Sequence, residues 1–282
     1  MIPFQVAIAQ FAPLLGDFSR NLQEHLALGE RAMGQGARLV VFPELSLTGY
    51  FVKDLVSDLA IAPHDAKLQP LRALSRHIDV VAGFIERGDA RRLYLVSAYF
   101  SKGELLHLHR KAYLPTYGMF EEARFLSPGN QLRAFDTDWG RAGLLICEDL
   151  WHPSTVGVMA ADRAEILIAV ASSPARGFSG DRPDSARLYE QMNRVYAQLF
   201  GMQVIFANRV GFEDGVGFWG GSEIIDPFGE TLGKAPYFDP SLLLANVDPR
   251  VTQRAQLLTP LGRDERLDLT LRELRRIADD SV

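Results

Sequence analysis

The only cysteine of the chain, Cys147, lies at the end of an apolar run and directly before two acidic residues. That run, residues 143–146, predicts a buried strand, so Cys147 is expected at the point where the strand ends. A thiol held at the rim of a sheet beside ionisable groups is a candidate nucleophile. A lone cysteine is also a common small residue of protein cores, so the choice between the two interpretations depends on the rest of the chain.

Two other ionisable residues follow predicted strands in the same way. Glu44 comes after a strand at residues 38–42, and Pro43 between them ends the ladder of hydrogen bonds. Lys111 follows a predicted strand at residues 104–110. Taken singly, each of these residue types is more often a solvated surface residue. In α/β sheets, however, ligands bind outside the carboxyl ends of strands, so polar residues at several strand ends predict one active-site edge.

Strands and helices alternate along the chain, which predicts an α/β fold with additional hairpins. The remaining strands are predicted at residues 4–10, 80–85, 93–100, 165–170 and 203–207, with others near 224 and at 242–247. Helices are predicted to begin at Asp17 or Ser19, to span residues 66–77, and to begin again at Asp184. The glycine-rich residues 211–221 are either a loop over the site or a long hairpin connection.

Three of the predicted helices carry apolar residues at helical spacing. These residues are Leu22, Leu26 and Met33 in the first helix, Leu188, Met192, Val195 and Leu199 in the helix after Asp184, and Leu267, Leu271 and Leu274 in the tail. The tail helix also bears many charges, which is typical of an amphipathic helix that packs on a partner subunit or on its own domain.

Composition limits the class of protein. The 282 residues are 47% hydrophobic, which is enough for one large core, and the net charge of −5 comes without a basic stripe. We therefore expect a small-molecule substrate, and neither a nucleic-acid partner nor a membrane. The single cysteine excludes an intrachain disulfide, and no apolar run approaches the roughly 20 residues of a membrane span. A cytoplasmic location is expected, because the sequence shows no leader peptide.

Three segments of the chain resemble, in order and spacing, the signatures of the nitrilase superfamily of carbon-nitrogen hydrolases. They are Phe-Pro-Glu-Leu-Ser-Leu-Thr-Gly-Tyr around Glu44, Arg-Lys-Ala-Tyr-Leu-Pro around Lys111, and Ile-Cys-Glu-Asp-Leu-Trp around Cys147. The similarity continues through residues 120–125, 208–211 and 220–222 and covers most of the chain.

The resemblance implies a four-layer α-β-β-α sandwich that assembles as a homodimer or a larger homo-oligomer. It implies a carbon-nitrogen hydrolase domain at residues 1–250 and a tail with an oligomer-forming helix at residues 251–282. It also implies a Glu-Lys-Cys triad, with Glu44 as base, Lys111 as oxyanion donor and Cys147 as nucleophile, and no cofactor or metal. The superfamily's second glutamate, which holds the lysine, falls on Glu122, or on Glu121 if the register differs by one residue.

The closest motifs resemble the glutamine-hydrolysing domain of glutamine-dependent NAD synthetases and stand-alone bacterial amidases. The resemblance therefore implies hydrolysis of a small amide through a cysteine thioester. A glutaminase-like subunit and an N-carbamoyl amide hydrolase are narrower alternatives, and nitrile hydrolysis is less favoured. The acid after the nucleophile, Glu148, would meet a substrate ammonium. The candidate substrate-binding residues are Tyr50, Tyr117, Glu148, Ser172, Ser173 and Trp219.

Other functional classes are less well supported by the residues. A Cys-His hydrolase could use Cys147 with His107, His109 or His152, and the first two histidines share a strand face that could bind a metal. The sequence identifies no third metal ligand. It also lacks the Gly-x-Ser-x-Gly turn of serine hydrolases. The remaining alternative is a catalytically idle oligomeric scaffold of the same fold.

Overall fold

The computed structural model describes residues 2–178, 180 and 182–280, and it contains two six-stranded sheets with helices packed on them. The predicted domain and tail limits, 1–250 and 251–282, include residues 1, 281 and 282, which lie outside the described residues. The strands are β1 Phe4–Gln10, β2 Ala37–Val41, β3 Asp79–Arg87, β4 Leu93–Ser101, β5 Glu104–Arg110, β6 Phe135–Thr137, β7 Gly140–Ile146, β8 Ile166–Ala171, β9 Gln203–Asn208, β10 Val210–Glu213, β11 Val216–Trp219, β12 Glu223–Ile225, β13 Thr231–Lys234 and β14 Ser241–Val247. The α-helices are α1 Phe18–Gly34, α2 Val56–Leu59, α3 Gln69–Leu74, α4 Glu122–Phe125, α5 Pro153–Ala161, α6 Asp184–Phe200, α7 Pro249–Leu258, α8 Leu261–Asp264 and α9 Leu267–Asp280.

The order of strands is β14-β1-β2-β3-β4-β5 in the first sheet and β13-β12-β9-β8-β7-β6 in the second. The pairs β1–β2, β2–β3, β7–β8 and β8–β9 are parallel, and the outer pairs are antiparallel. Strands β10 and β11 form a separate antiparallel hairpin, as the second interpretation of residues 211–221 expects, and its residues Asp214 and Val216 line a cavity together with Tyr50 and Glu122, as the first expects. The strands predicted at 4–10 and 104–110 are confirmed with those bounds.

Residues alternate between two cores along the first sheet, as the two-residue period of a strand requires. Val6 and Ile8 of β1 belong to a core that they share with β7, β8 and β9 of the second sheet. Ala7 and Ala9 lie in a second core with residues of α1 and α3. Residues of α5 and α6 cover the second sheet. The layers are therefore helix, sheet, sheet and helix, which confirms the predicted fold class.

The predicted apolar face of α1 is confirmed only in part, because Leu22 and Leu26 pack against the second core whereas Met33 does not. Met33 is 39% exposed, and Leu22 and Leu26 are only partly buried. The residues of α1 that are buried are small or polar: Asn21, His25, Gly29 and Ala32. Gly29 permits a close approach, because a Cβ there would lie 2.5 Å from a side-chain carbon of Leu74. The helix begins as predicted at Asp17, whose side chain accepts from the N–H of Arg20.

The other predicted helices are present with changed limits or exposure. The helix expected at 66–77 is a short 3₁₀ turn followed by α3, which ends at Leu74. In α6 the predicted apolar stripe lies largely at the surface, since Leu188, Val195 and Leu199 are 40–51% exposed. The tail helix α9 has no buried residue. None of the described helices combines the length and the apolar composition that crossing a bilayer requires.

Candidate active site

The three residues singled out by sequence stand at strand ends that meet between the two sheets. Glu44 follows β2 and Lys111 follows β5, so both come from the first sheet. Cys147 directly follows β7 of the second sheet. All three are buried, with relative exposures of 1%, 1% and 7%. The site therefore depends on the packing of one sheet on the other.

Lys111 is held between two carboxylates. Its Nζ donates to Oε1 of Glu44 over 2.8 Å and to Oε1 of Glu122 over 2.7 Å. The hydroxyl of Tyr50 donates to the same oxygen of Glu122 over 2.5 Å. The geometry therefore selects Glu122 as the glutamate that contacts the lysine, whereas Glu121 forms an exposed ion pair with Arg124.

Burial and charge act in opposite directions on this group of residues. Burial disfavours the charged form of Lys111, but the carboxylates of Glu122 and Glu44 outweigh it and raise the pKa of Lys111 well above its ordinary value. Burial raises the pKa of Glu122 to about 7, although Lys111 and Tyr50 oppose that effect. Lys111 is therefore a permanent cation, and Glu122 titrates near neutral pH.

The carboxylate of Glu44 is also fixed by the second sheet. Its Oε2 accepts the backbone N–H of Ser172, which follows β8, over 2.7 Å. The hydroxyl of Ser172 donates to the backbone carbonyl of Glu44 over 3.0 Å. Both oxygens of the Glu44 carboxylate thus have defined partners, and Ser172 acts as a bridge between the sheets at this point.

Cys147 adopts a backbone conformation that is uncommon for a residue with a side chain. Its φ of 47° lies in the left-handed region, at the first residue of a short 3₁₀ turn, Cys147–Trp151. The Sγ atom lies 3.4 Å from the hydroxyl oxygen of Tyr189 on α6. Burial and the charge of Glu44 raise the pKa of the thiol well above its ordinary value, and Lys111 opposes this. The thiol is therefore protonated at neutral pH and needs a base to become a nucleophile.

Cys147 opens into a cavity of about 330 Å³. Three of the predicted substrate-binding residues, Tyr117, Glu148 and Ser173, lie on its wall. The hydroxyl of Tyr117 donates to Oε2 of Glu148 over 2.8 Å, and burial raises the pKa of Glu148. The cavity also contains a basic group, the guanidinium of Arg176.

The other predicted substrate-binding residues lie behind this wall. Ser172 and Trp219 are fully buried, and the indole N–H of Trp219 donates to the hydroxyl of Ser173 over 3.0 Å. Tyr50 lines a second cavity of about 260 Å³ together with Glu122. In the structure these three side chains hold residues of the site, and their direct contact with substrate stays a prediction.

Sequence patterns missed two residues that contact the site. The sequence gives no signal for Tyr189, because the leucines of α6 predict a different buried face, yet Tyr189 and not Leu188 packs on the second sheet. Asp149 stands out in the sequence only as part of a motif, although it is fully buried and accepts hydrogen bonds from four groups. The signal for Asp149 was its position two residues after the nucleophile at a strand end.

The histidines of the alternative sites have other partners. His109 donates to Asp149 over 2.8 Å, and His107 stacks on Phe135 with ring centres 4.1 Å apart. His152 stacks on Tyr113 at 3.5 Å. Within residues 2–178, 180 and 182–280, no three His, Cys, Asp or Glu side chains form a group that could hold a metal ion.

Comparison with known proteins adds independent information. The family model described as carbon-nitrogen hydrolase matches residues 5–256. A glutamine-dependent NAD(+) synthetase of Thermotoga maritima is 30% identical over 264 residues, which are 92% of this chain and 44% of that protein. A citrullinase of Francisella tularensis is 28% identical over 95% of this chain and 97% of its own. The crystal structure of a carbon-nitrogen hydrolase from Helicobacter pylori superposes with a TM-score of 0.87 at 25% identity, covering 96% of this chain and 98% of that one. The chain spans less than half the length of the synthetases that it matches.

Proposed function

Because this chain belongs to the carbon-nitrogen hydrolase family, within the nitrilase superfamily, we propose that it hydrolyses a small linear amide through a thioester on Cys147. The observation that carries the proposal is the ammonium of Lys111 held between Glu44 and Glu122, next to the only thiol of the chain. A base, a cation and a nucleophile in one water-poor site are the groups that amide cleavage requires.

In the first half-reaction, the thiol sulfur of Cys147 attacks the carbonyl carbon while its proton passes to the Glu44 carboxylate. The negative charge that develops on the carbonyl oxygen is stabilised by the ammonium of Lys111 and by a backbone N–H of the turn after Cys147. Each such donor lowers the activation barrier by about 3 kcal/mol. The carbon-nitrogen bond then breaks, and Glu44 gives its proton to the departing nitrogen.

In the second half-reaction, Glu44 removes a proton from water, and the hydroxyl attacks the thioester carbon. The carbon-sulfur bond breaks, the sulfur regains the proton that Glu44 received from water, and the product leaves as a carboxylic acid that loses its own proton to solvent. General base catalysis of this kind contributes about 10²–10⁴-fold. Because burial keeps the thiol protonated in the resting state, both halves of the reaction depend on the orientation of Glu44. Lys111 and Ser172 supply that orientation.

The charges in the cavity favour one substrate class. The wall carries two acids, Glu148 and Asp184, and one base, Arg176. Asp184 forms an ion pair with Arg187, so Glu148 and Arg176 are the charges that complement the ammonium and the carboxylate of an α-amino acid. Two of the relatives are named for glutamine and citrulline, both α-amino acids whose side chain ends in a carbonyl that carries an –NH₂ group. We therefore favour an amino acid with a terminal carboxamide or carbamoyl group over a simple aliphatic amide. A glutaminase-like subunit that releases ammonia is the case of this class in which the substrate is glutamine, and it is supported by the similarity to the synthetases.

The proposal is tested by acid-quenching the enzyme during turnover and measuring its intact mass. The substrates are glutamine, an α-amino acid with a free amino group and a terminal carbamoyl group, a short aliphatic amide and a nitrile, each with ammonia release measured in parallel. We expect an adduct on the wild type that is absent in Cys147→Ala and is removed by neutral hydroxylamine, which cleaves thioesters. Glu148→Gln should raise KM for the amino-acid substrates and leave KM for the aliphatic amide unchanged, because only the former carry an ammonium.

No adduct and no ammonia with any compound would contradict the proposal if Cys147 still reacts with a thiol reagent. The protein would then be assigned to the alternative of a binding scaffold. An adduct with the aliphatic amide alone would contradict only the narrower substrate class.

We also propose that the protein acts as a homodimer or a larger homo-oligomer. The support is the row of exposed apolar residues on α6, including Val195 and Leu199, and those of the tail helix α9, including Leu271 and Leu274. Apolar stripes of this kind are typical of interaction surfaces.

A further inference from the structure

The carboxylate of Asp149 is fully buried and accepts four hydrogen bonds. Its Oδ1 accepts the backbone N–H groups of Ala112 and Tyr113, each over 3.0 Å. Its Oδ2 accepts the backbone N–H of Ile146 over 3.0 Å and the ring Nε2–H of His109 over 2.8 Å. A carboxylate with this number of donors is strongly held in one orientation.

The four donors come from both sheets. His109, Ala112 and Tyr113 lie on either side of Lys111 at the end of β5, in the first sheet. Ile146 is the last residue of β7 in the second sheet, and Cys147 follows it directly. One carboxylate therefore connects the chain around Lys111 to the chain around Cys147. Asp149 is hydrogen-bonded to residues at both of these strand ends.

His109 has the orientation needed for this contact because of strand geometry. Residues two apart in a strand point to the same face, so His107, His109 and Lys111 share the face of the first sheet that meets the second. His109 is buried and bonded to Asp149. His107 stands on the same strand and face, but its Nε2 has no hydrogen-bond partner in the described residues, and its ring stacks on Phe135.

We propose that Asp149 and His109 are a pair of positioning residues that set the separation between the Lys111 ammonium and the Cys147 sulfur. Neither touches the substrate; they act through the backbone on both sides of Lys111 and before Cys147. The effect of this pair on catalysis rests on the proposed function, whereas its effect on the reactivity of Cys147 concerns the protein without substrate. Without the His109 bond, Oδ2 of Asp149 keeps only the N–H donor of Ile146. The β5 side is then bonded to Asp149 only through the backbone N–H groups of Ala112 and Tyr113.

The experiment measures alkylation of Cys147 by 2-iodoethanol, which contains no carbon-nitrogen bond, between pH 7 and pH 10, so it needs no amide substrate. Cys147 is the only cysteine, so incorporation reports on one site. His109→Leu removes the donor, and His109→Gln keeps an N–H donor. His107→Leu is the matched control, since it removes an imidazole from the same strand face without removing a hydrogen bond to Asp149. His109→Met, a flexible apolar replacement, is a second variant in case the leucine does not fold. Thermal unfolding confirms that each variant is folded.

We expect His109→Leu to slow alkylation about tenfold at a fixed pH and to move the profile about one pH unit upward, because a displaced Lys111 no longer stabilises the thiolate. His109→Gln should stay within about threefold of the wild type, since its N–H still donates to Asp149. His107→Leu should match the wild type. In turnover, His109→Leu should lower kcat with little change in KM, because the cavity wall is intact.

A folded His109→Leu with the wild-type alkylation profile would overturn the inference. Equal losses in His109→Gln and His109→Leu would also overturn it, because a space-filling role would then explain the effect. Absence of amide hydrolysis by the wild type would count against the proposed function alone, since the alkylation profiles would still test the link between Asp149 and His109.

Discussion

Replacing Tyr50 with phenylalanine removes one hydrogen bond from a buried carboxylate and leaves the ring in place. The Tyr50 hydroxyl donates to Oε1 of Glu122, and Lys111 donates to the same oxygen. The pKa of Glu122 is raised to about 7 by burial, and the hydroxyl of Tyr50 restrains that rise. Only the ionised carboxylate gains from this donor, so Tyr50→Phe raises the pKa of Glu122 further.

The magnitude follows from the strength of the bond. A hydrogen bond to a charged group contributes about 1.5–3 kcal/mol to stabilising that charge. Since about 1.4 kcal/mol corresponds to a tenfold change in an ionisation constant, the loss moves the titration by about one to two pH units. Glu122 has to be ionised to hold Lys111 as a counter-ion, so activity is low below its pKa and increases through it. In the wild type this increase should be centred near pH 7, given a pKa of about 7 for Glu122.

The assay is kcat/KM between pH 5 and pH 9 with any substrate that the enzyme turns over. The rising limb of Tyr50→Phe should lie about one to two pH units above that of the wild type. Tyr99→Phe is the matched control, because Tyr99 is also buried and donates to a carboxylate, Asp79, over 2.7 Å, but in a different part of the core. The reasoning is refuted if Tyr50→Phe keeps the wild-type limb or moves it to lower pH.

Three other substitutions test separate parts of the structure. Lys111→Met should lower kcat about 10²–10³-fold in a stopped assay, because the oxyanion loses its cationic donor; an unchanged rate would exclude that role. Arg209→Met should reduce the free energy of unfolding in urea by about 3–5 kcal/mol, since it leaves Glu213 buried without its partner. The exposed pair of Arg250 with Asp248 is the comparison, and Arg250→Met should cost under about 1 kcal/mol. Leu199→Asp should shift the sedimentation coefficient towards that of the monomer if α6 forms the subunit contact, and an unchanged value would place the contact elsewhere.

Much of the fold could be predicted from the sequence because the main signals are local. The buried strands are short apolar runs, and where those runs end indicates the positions of Lys111 and Cys147 directly after β5 and β7 and of Glu44 three residues after β2. The helix that begins at Asp17 was readable from its cap. Where the buried face depended on a neighbour, the prediction was wrong: Met33 of α1 is exposed, because polar and small residues pack there instead.

The site itself required tertiary structure, since its residues come from different sheets. The sequence could place a glutamate near position 122 but could not choose between Glu121 and Glu122, because both are acids in one loop and only one of them reaches Lys111. It could not show that Ser172 holds Glu44 through a backbone N–H. Backbone donors carry no sequence signal, because every residue except proline has one.

The sequence by itself determined which chemical groups are available: one thiol, one lysine and one glutamate close after strand ends, and a second glutamate in the segment that follows Lys111. Only the tertiary structure decided how they are charged. The raised pKa values of Cys147 and Glu122 come from burial between two sheets and from the charges brought close to them there. The electrostatic effect of a neighbour depends on distance and solvent exposure, and neither is fixed until the two sheets pack together.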